Sequence, residues 1–308
     1  MIFVYILLCA LLITILFFGV FSYIIFLSSL KRKEISSIQL KEDFKNNDKE
    51  SLEYLLDKEY QNVFIKAQDE TRLHGMYIKN SSKTLNIAVI AHRYRADATT
   101  LGLIAKIYIE KGFDVLLIDS RAHGLSGGKY CGMGALEKDD IKEWINYVND
   151  RFMNKCNIIL HGVSLGAASC LGSLYKNDNE SVKMVFADST FTKVYDIYVR
   201  VGTKRYGKIL ASILMVFTCL LTRMIAKFSL RKISTSEWIK ESKIPIMFII
   251  GSEDKMINQD KFLLLYDGYK GPKELKVIEG AHHALGHYVD KEEYKHFING
   301  TLVKYLKN

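Results

Sequence analysis

The chain predicts an α/β protein, a mostly parallel sheet with helices on both faces. Three observations carry this. Continuous apolar runs of strand length recur along the sequence, and segments of helical length separate them. Once an apolar N terminus and the polar stretch behind it are set aside, roughly 250 residues remain, enough for one large core. In chain order, an antiparallel pair is expected near Val63 to Lys66 and Leu73 to Lys79. The run Asn86-Ile87-Ala88-Val89-Ile90-Ala91 follows as a third strand, and a helix is expected from about Thr99 to Lys111. Asp114 to Ile118 reads as a strand and Leu136 to Val148 as a helix. Further strands are expected at Asn157 to His161, Met184 to Phe186 and Lys243 to Ile250, with a shorter candidate at Leu275 to Glu279. Runs apolar on both faces, rather than alternating, are what a sheet covered on both sides requires.

The strand ends carry the chemistry. Asn157-Ile158-Ile159-Leu160-His161 runs directly into Gly162-Val163-Ser164-Leu165-Gly166 and then into the small residues Ala167-Ala168-Ser169. A strand, a tight turn and a helix of small residues form a nucleophile elbow, with the serine hydroxyl exposed on a strained backbone. The pentapeptide alone recurs by chance, so its context matters. Lys243 to Ile250 ends in Gly251-Ser252-Glu253-Asp254, which puts a carboxylate at a strand tip. Leu275 to Glu279 is followed by Gly280-Ala281-His282-His283. Serine, acid and histidine thus appear in that order, each after a strand. Asp188, ending the strand Lys183 to Ala187, is a rival for the acid.

With these residues the chain resembles the α/β-hydrolase superfamily over roughly residues 60 to 305. It is similar in particular to membrane-tethered serine hydrolases of the Bem46-like and monoacylglycerol-lipase-like kind. Asp119-Ser120-Arg121-Ala122-His123-Gly124-Leu125-Ser126-Gly127-Gly128 looks like the family's Asp-x-Arg-x-His-Gly-x-Ser-x-Gly loop, and Tyr130, Gly132 and Gly134 continue the match. The resemblance implies Ser164 as nucleophile, Asp254 as acid and His283 as base, since the family motif is Gly-Ala-x-His. His282 is then a neighbour. Arg121 and His123 are expected to brace a loop, and His161 to be packed at its strand end. Haloalkane or epoxide chemistry is disfavoured, because those relatives carry aspartate at the elbow.

Such a site also needs backbone donors for an oxyanion. The amide of Leu165 should supply one, and the loop after the third strand the other. Here the chain departs from its relatives, with His92-Arg93-Tyr94-Arg95 where the family has His-Gly. The second donor is expected to be the amide of Arg93 or Tyr94, with Tyr94 favoured.

Residues 2 to 30 contain no charged side chain, and as a helix they would reach roughly 43 Å, enough for a tilted bilayer span. There is no basic leader and no small-residue cleavage site before Lys31, so the segment reads as an uncleaved anchor rather than a signal peptide. Lys31, Arg32, Lys33, Lys41, Lys45 and Lys49 follow it, interrupted by Asp43 and Asp48. The positive-inside rule accordingly places the domain in the cytoplasm. Five cysteines without metal or redox spacing agree with that side. The expected domains are an anchor at 1–30, a polar juxtamembrane tether at 31–58, and a hydrolase domain at 59–308 with a helical cap at about 192–240. Within the cap, Ile209 to Thr222 is apolar but short for a span, and it is expected as a buried helix over the serine.

The net charge of +9, from 43 basic and 34 acidic residues, suits an anionic membrane surface. The basic residues are dispersed and no nucleic-acid module appears, so nucleic acid is not expected as a partner. No cofactor or metal is implied. The expected function is a membrane-anchored serine hydrolase cleaving acyl esters or thioesters, lipid-derived ones included, through an acyl-enzyme. Two alternatives stand beside it: a peptidase of the prolyl-oligopeptidase-like type, which shares this core and order, and a non-catalytic binding protein on the same fold, motivated by Arg93.

Overall fold

A computed structural model describes residues 1–32, 42–176 and 179–306, the side chains of 42–47 excepted. Its centre is an eight-stranded sheet. The strands are β1 (Gln61–Lys66), β2 (Arg72–Ile78), β3 (Asn86–Ala91), β4 (Asp114–Ile118), β5 (Asn157–Val163), β6 (Val182–Asp188), β7 (Ile246–Gly251) and β8 (Lys273–Ile278). Their order across the sheet is β1-β2-β4-β3-β5-β6-β7-β8. β2 pairs antiparallel with β1 and β4, and every later pairing is parallel. The strands foreseen as unbroken apolar runs lie at the centre, where both faces are covered. Ile87 to Ile90, Leu116, Ile158 to Leu160 and Met247 to Ile249 are all buried.

Eleven α-helices flank the sheet among the described residues. The first two are α1 (Ile2–Leu30) and α2 (Glu42–Leu56). Then come α3 (Gly102–Glu110), reached through a 3₁₀ turn at Ala98–Leu101, α4 (Glu137–Arg151) and α5 (Leu165–Ser173). The insertion between β6 and β7 holds α6 (Val194–Tyr206), α7 (Lys208–Ile225) and the short α8 (Thr235–Trp238). α9 (Gln259–Gly268), α10 (Gly286–Val289) and α11 (Lys291–Tyr305) complete the chain. One apolar core lies on each face: Trp144, Ile145, Leu171 and Phe248 belong to one, Ile104, Tyr108, Phe186 and Ile298 to the other.

The N-terminal segment differs from a bare anchor followed by a polar tether. Ile2 to Phe17 of α1 is exposed, whereas Ser22, Phe26 and Leu30, four residues apart, form a buried stripe. That stripe meets the cap. Ser22 Oγ donates to Leu214 O (3.2 Å), Phe18 stacks near Phe217 (6.3 Å between centroids), and Phe21 meets Tyr206 edge-on (5.5 Å). Lys31 bridges to Tyr130, and the Leu30 carbonyl accepts from the Cys131 amide (2.8 Å). α2 occupies the second half of the expected tether and buries Asp48, Ser51 and Leu55 against the domain. Of the basic residues used for orientation, Lys33 and Lys41 lie outside the described residues, as do the side chains of Asp43 and Lys45.

α7 also departs from expectation. It is not a fully buried helix: Ala211, Leu214, Met215, Thr218 and Thr222 point inward, while Ile209, Val216, Leu220 and Met224 face outward. It rests on α1 and α6. An apolar sequence fixes the need for an apolar environment but not whether protein or lipid supplies it.

Candidate active site

β5 delivers its chain into the turn 162–166, and the glycines there answer to close approach. A Cβ at Gly162 would sit 2.3 Å from the Ala167 amide nitrogen, and one at Gly166 would sit 2.2 Å from the Ala91 carbonyl oxygen. Between them Ser164 adopts φ 52° and ψ −104°, a strained conformation for a residue with a side chain. Two backbone bonds hold it: the Ser164 amide donates to Asp188 O (2.8 Å), and the Gly166 amide to His92 O (3.1 Å). The strain is maintained by the neighbouring strand ends.

Ser164 Oγ lies 2.8 Å from His283 Nε2, and His283 Nδ1 lies 2.8 Å from Asp254 Oδ2. These residues are 119 and 29 positions apart in the chain. The turns after β7 and β8 bring them together, since the Glu253 amide donates to Ala281 O (3.0 Å) and the Ser252 amide to Ile278 O (3.0 Å). Asp254 Oδ1 accepts from the amides of Met256 and Ile257, both at 2.8 Å. The carboxylate is thereby aimed, with one oxygen occupied by backbone and the other left for the imidazole. Its side chain is fully buried, whereas that of His283 keeps 15% exposure. A proton leaving Ser164 therefore has an acceptor at Nε2, and the imidazolium formed would face a buried carboxylate. His282 is exposed and turns away, its Nδ1 3.0 Å from Glu253 O.

Asp188 is engaged elsewhere. Ser189 Oγ and Tyr294 Oη both donate to it, at 2.9 Å each, and burial pushes its carboxyl up to about 6. Since Tyr294 spends its proton on Asp188, it accepts from His161 Nε2–H (2.9 Å), and Tyr108 donates to His161 Nδ1 (2.9 Å). Burial pushes His161 down to about 3, keeping it neutral. His161 is thus the packed strand-end residue expected from its position.

The loop after β4 braces the site. Asp119 accepts from His74 Nδ1 (2.7 Å) and from the amides of Ala98 and Leu125, both at 2.8 Å. Arg121 makes a fork to Asp140 (2.7 and 2.6 Å) and a third bond to Asp69 (2.8 Å). His123 accepts from the Arg95 amide at Nε2 (3.1 Å), and burial together with nearby His92 pushes it down to about 4. His92 likewise accepts from the Ser120 amide at Nε2 (3.0 Å), so its proton sits on Nδ1 and is donated to Arg93 O (2.7 Å).

At the expected oxyanion position, Leu165 opens α5, so its amide has no acceptor within the helix. The Tyr94 amide has no hydrogen-bond acceptor among the described residues. Arg93 does not aim its charge at the serine: its Nη2 donates to Asp48 Oδ2 (2.8 Å) on α2. Asp48 and His74 were missed from sequence, because both are polar residues at buried positions, which hydropathy does not reveal. Ser164 lines neither of two clefts in the domain. One of about 450 Å³ runs between Asn62, His74, Asp97 and Leu125. Another, of about 130 Å³, adjoins the Asp254 turn at Phe191, Ile197, Arg200 and Ile257.

Comparison with known proteins agrees with this architecture. A family model described as Hydrolase_4, serine aminopeptidase, S33, matches residues 82–221. The uncharacterized protein YqkD of Bacillus subtilis is 24% identical over 225 residues, 73% of this chain and 72% of that protein. Protein bem46 of Schizosaccharomyces pombe is 22% identical over 214 residues, 68% and 65% of the two chains. Among solved structures, the Pyrococcus furiosus esterase Pf2001 superposes with a TM-score of 0.66 at 24% identity, covering 82% of this chain and 93% of that one. The chain has the α/β-hydrolase fold, and the comparisons support an enzyme of hydrolase type.

Proposed function

We propose that the protein is a membrane-anchored serine hydrolase that cleaves acyl esters or thioesters through Ser164, Asp254 and His283. The observation that carries this reading is the continuous chain from Ser164 Oγ through the His283 imidazole to Asp254, at 2.8 Å for each bond, on a strained elbow. Ser164 Oγ attacks the acyl carbon as His283 Nε2 takes its proton. Asp254 holds the imidazole with its proton on Nδ1 and stabilises the cation. Charge developing on the carbonyl oxygen is met by the amides of Leu165 and Tyr94. Collapse of the tetrahedral intermediate expels the alcohol or thiol, protonated by His283, and leaves the acyl group on Ser164. Water activated by the same imidazole then releases the acid.

The substrate class follows from where the domain is held. α1 is apolar throughout and long enough to cross a membrane. Because its inner stripe packs on α7, the cap is carried against the bilayer with the anchor, and Ile209, Val216, Leu220 and Met224 face the same surroundings. Acyl chains dissolved in lipid would then be concentrated at the cap. Lys31 and Arg32, directly after α1, favour a cytoplasmic domain in a single-pass arrangement. A second reading, amide hydrolysis, is kept by the family model's name, serine aminopeptidase.

Full-length protein in anionic vesicles tests the proposal against panels of short- and long-chain acyl esters, acyl thioesters and peptide amides. Release of fatty acid that Ser164→Ala abolishes is the expected result. Equal turnover by that variant would end the reading, and turnover of the amides alone would replace it with the peptidase.

A further inference from the structure

The loop His92–Ala96 carries the proposed second oxyanion donor. Its backbone is tied at both ends and within: His92 is fixed by Ser120 and by the Gly166 amide, the Arg95 amide donates to His123, and the Ala96 amide closes a turn onto Arg93 O (3.2 Å). Side chains add further anchors, and three of them reach the N-terminal segment. Arg93 Nη2 donates to Asp48 Oδ2 on α2 (2.8 Å), Arg95 Nη2 to Ser28 O at the end of α1 (2.6 Å), and Tyr94 Oη to Ser29 O.

α2 is seated firmly enough to act as a reference. It comes so close at Gly102 that a Cβ there would lie 2.0 Å from Ser51 O. Tyr288 Oη lies 3.1 Å from Ser51 Oγ and 3.2 Å from Thr100 O, five residues beyond His283 in sequence. Both members of the Arg93–Asp48 pair are nearly buried, with side chains 11% and 9% exposed. Breaking a pair this little exposed costs free energy and releases the loop's Arg93 anchor on α2.

We propose that Arg93 and Asp48 are a positioning pair: the docking of α2 through this ion pair holds the 92–96 loop so that the Tyr94 amide points at the developing oxyanion. The N-terminal segment is then part of the machinery as well as its tether, and the arginine in place of glycine is what couples them. This rests on the hydrolase reading above.

The test uses the full-length protein in detergent, a water-soluble short-chain p-nitrophenyl ester, and active sites titrated with a fluorophosphonate so that kcat refers to folded, competent enzyme. Arg93→Ala and Asp48→Ala are each expected to lower kcat about tenfold, a fraction of what losing an oxyanion donor costs, with KM within about twofold. Residues acting as one unit are non-additive, so the double variant should fall no further than either single one. Glu50→Ala serves as the control. It removes another tie of α2 to the domain, the exposed pair with Lys291 (2.6 Å), without touching the loop, and kcat should stay within about twofold. Arg93→Lys, which keeps the charge but loses the planar guanidinium, should give an intermediate kcat and covers the case in which Arg93→Ala folds poorly. Unchanged kcat in Asp48→Ala, an equal loss in Glu50→Ala, or additive losses in the double variant would overturn the pairing alone. Absence of both turnover and labelling in the unaltered protein would overturn the hydrolase reading and the pairing with it.

Discussion

Asp254 and Asp188 stand at neighbouring strand ends and differ in what surrounds them. Asp254 has two backbone amides on one oxygen and an imidazole on the other. Asp188 has a serine, a tyrosine and complete burial. The first environment aims a carboxylate oxygen at the neighbouring imidazole; the second raises the carboxyl toward about 6. Asp254→Asn should therefore lower kcat by roughly 10³ to 10⁴, through the wrong imidazole tautomer, while leaving the melting temperature within a few degrees. Asp188→Asn, which retains an acceptor for Tyr294, should cost less than about tenfold in kcat. Steady-state kinetics on both variants checks the assignment, and a reversed order of effects would move the acid to Asp188.

At the scale of elements, the elbow depends on a contact that no side chain can enter. Gly166→Val would drive carbon into the Ala91 carbonyl at the end of β3, forcing α5 off the sheet. Overpacking of that kind costs at least 1–3 kcal/mol, so a clear fall in melting temperature by calorimetry is expected. α7 makes the opposite kind of contact, with none of the described residues covering its outer face. Val216→Asp together with Leu220→Asp should weaken partition into anionic vesicles in flotation experiments, while turnover of a water-soluble ester changes less than about twofold. Unchanged partition would leave α1 as the only bilayer contact.

The same elements mark what could be read from sequence. β3, β4, β5 and β7 were legible because burial on both faces writes a continuous apolar run. Ser164 and Asp254 could be nominated because each closely follows such a run, whereas His283 follows the half-buried edge strand β8 and is nominated through the Gly-Ala-x-His motif. α2 was not legible, since its buried residues among the described side chains are Asp48, Ser51 and Leu55, and only one of these is apolar. Nor was the partnership of α1 with α7. Each is apolar by itself, and only the fold shows that part of each apolar surface faces the other.

For the whole molecule, pH dependence is dominated by histidines buried in the neutral form. Burial pushes His161 and His287 down to about 3 and His123 to about 4, and it lowers His92 as well. A pKa below the unfolded value of about 6.5 means that the unfolded chain binds the proton first as pH falls. The stability these groups contribute is complete above about pH 6.5 and is lost on the way down toward pH 3 to 4. Asp188 and Asp140, both pushed up to about 6, and Asp48, also raised by burial, act in the opposite sense, but they are three groups against four. Denaturant unfolding should therefore show stability falling from pH 7 to pH 5, and a flat or rising profile would contradict this balance.

The central claim concerns the reactivity of one hydroxyl, and covalent labelling reads it without knowledge of the substrate. Full-length protein treated with a fluorophosphonate, digested and analysed by mass spectrometry should carry the adduct on Ser164, with labelling lost in Ser164→Ala and strongly slowed in His283→Ala. A folded protein that takes no label, or takes it on another residue, would contradict the account.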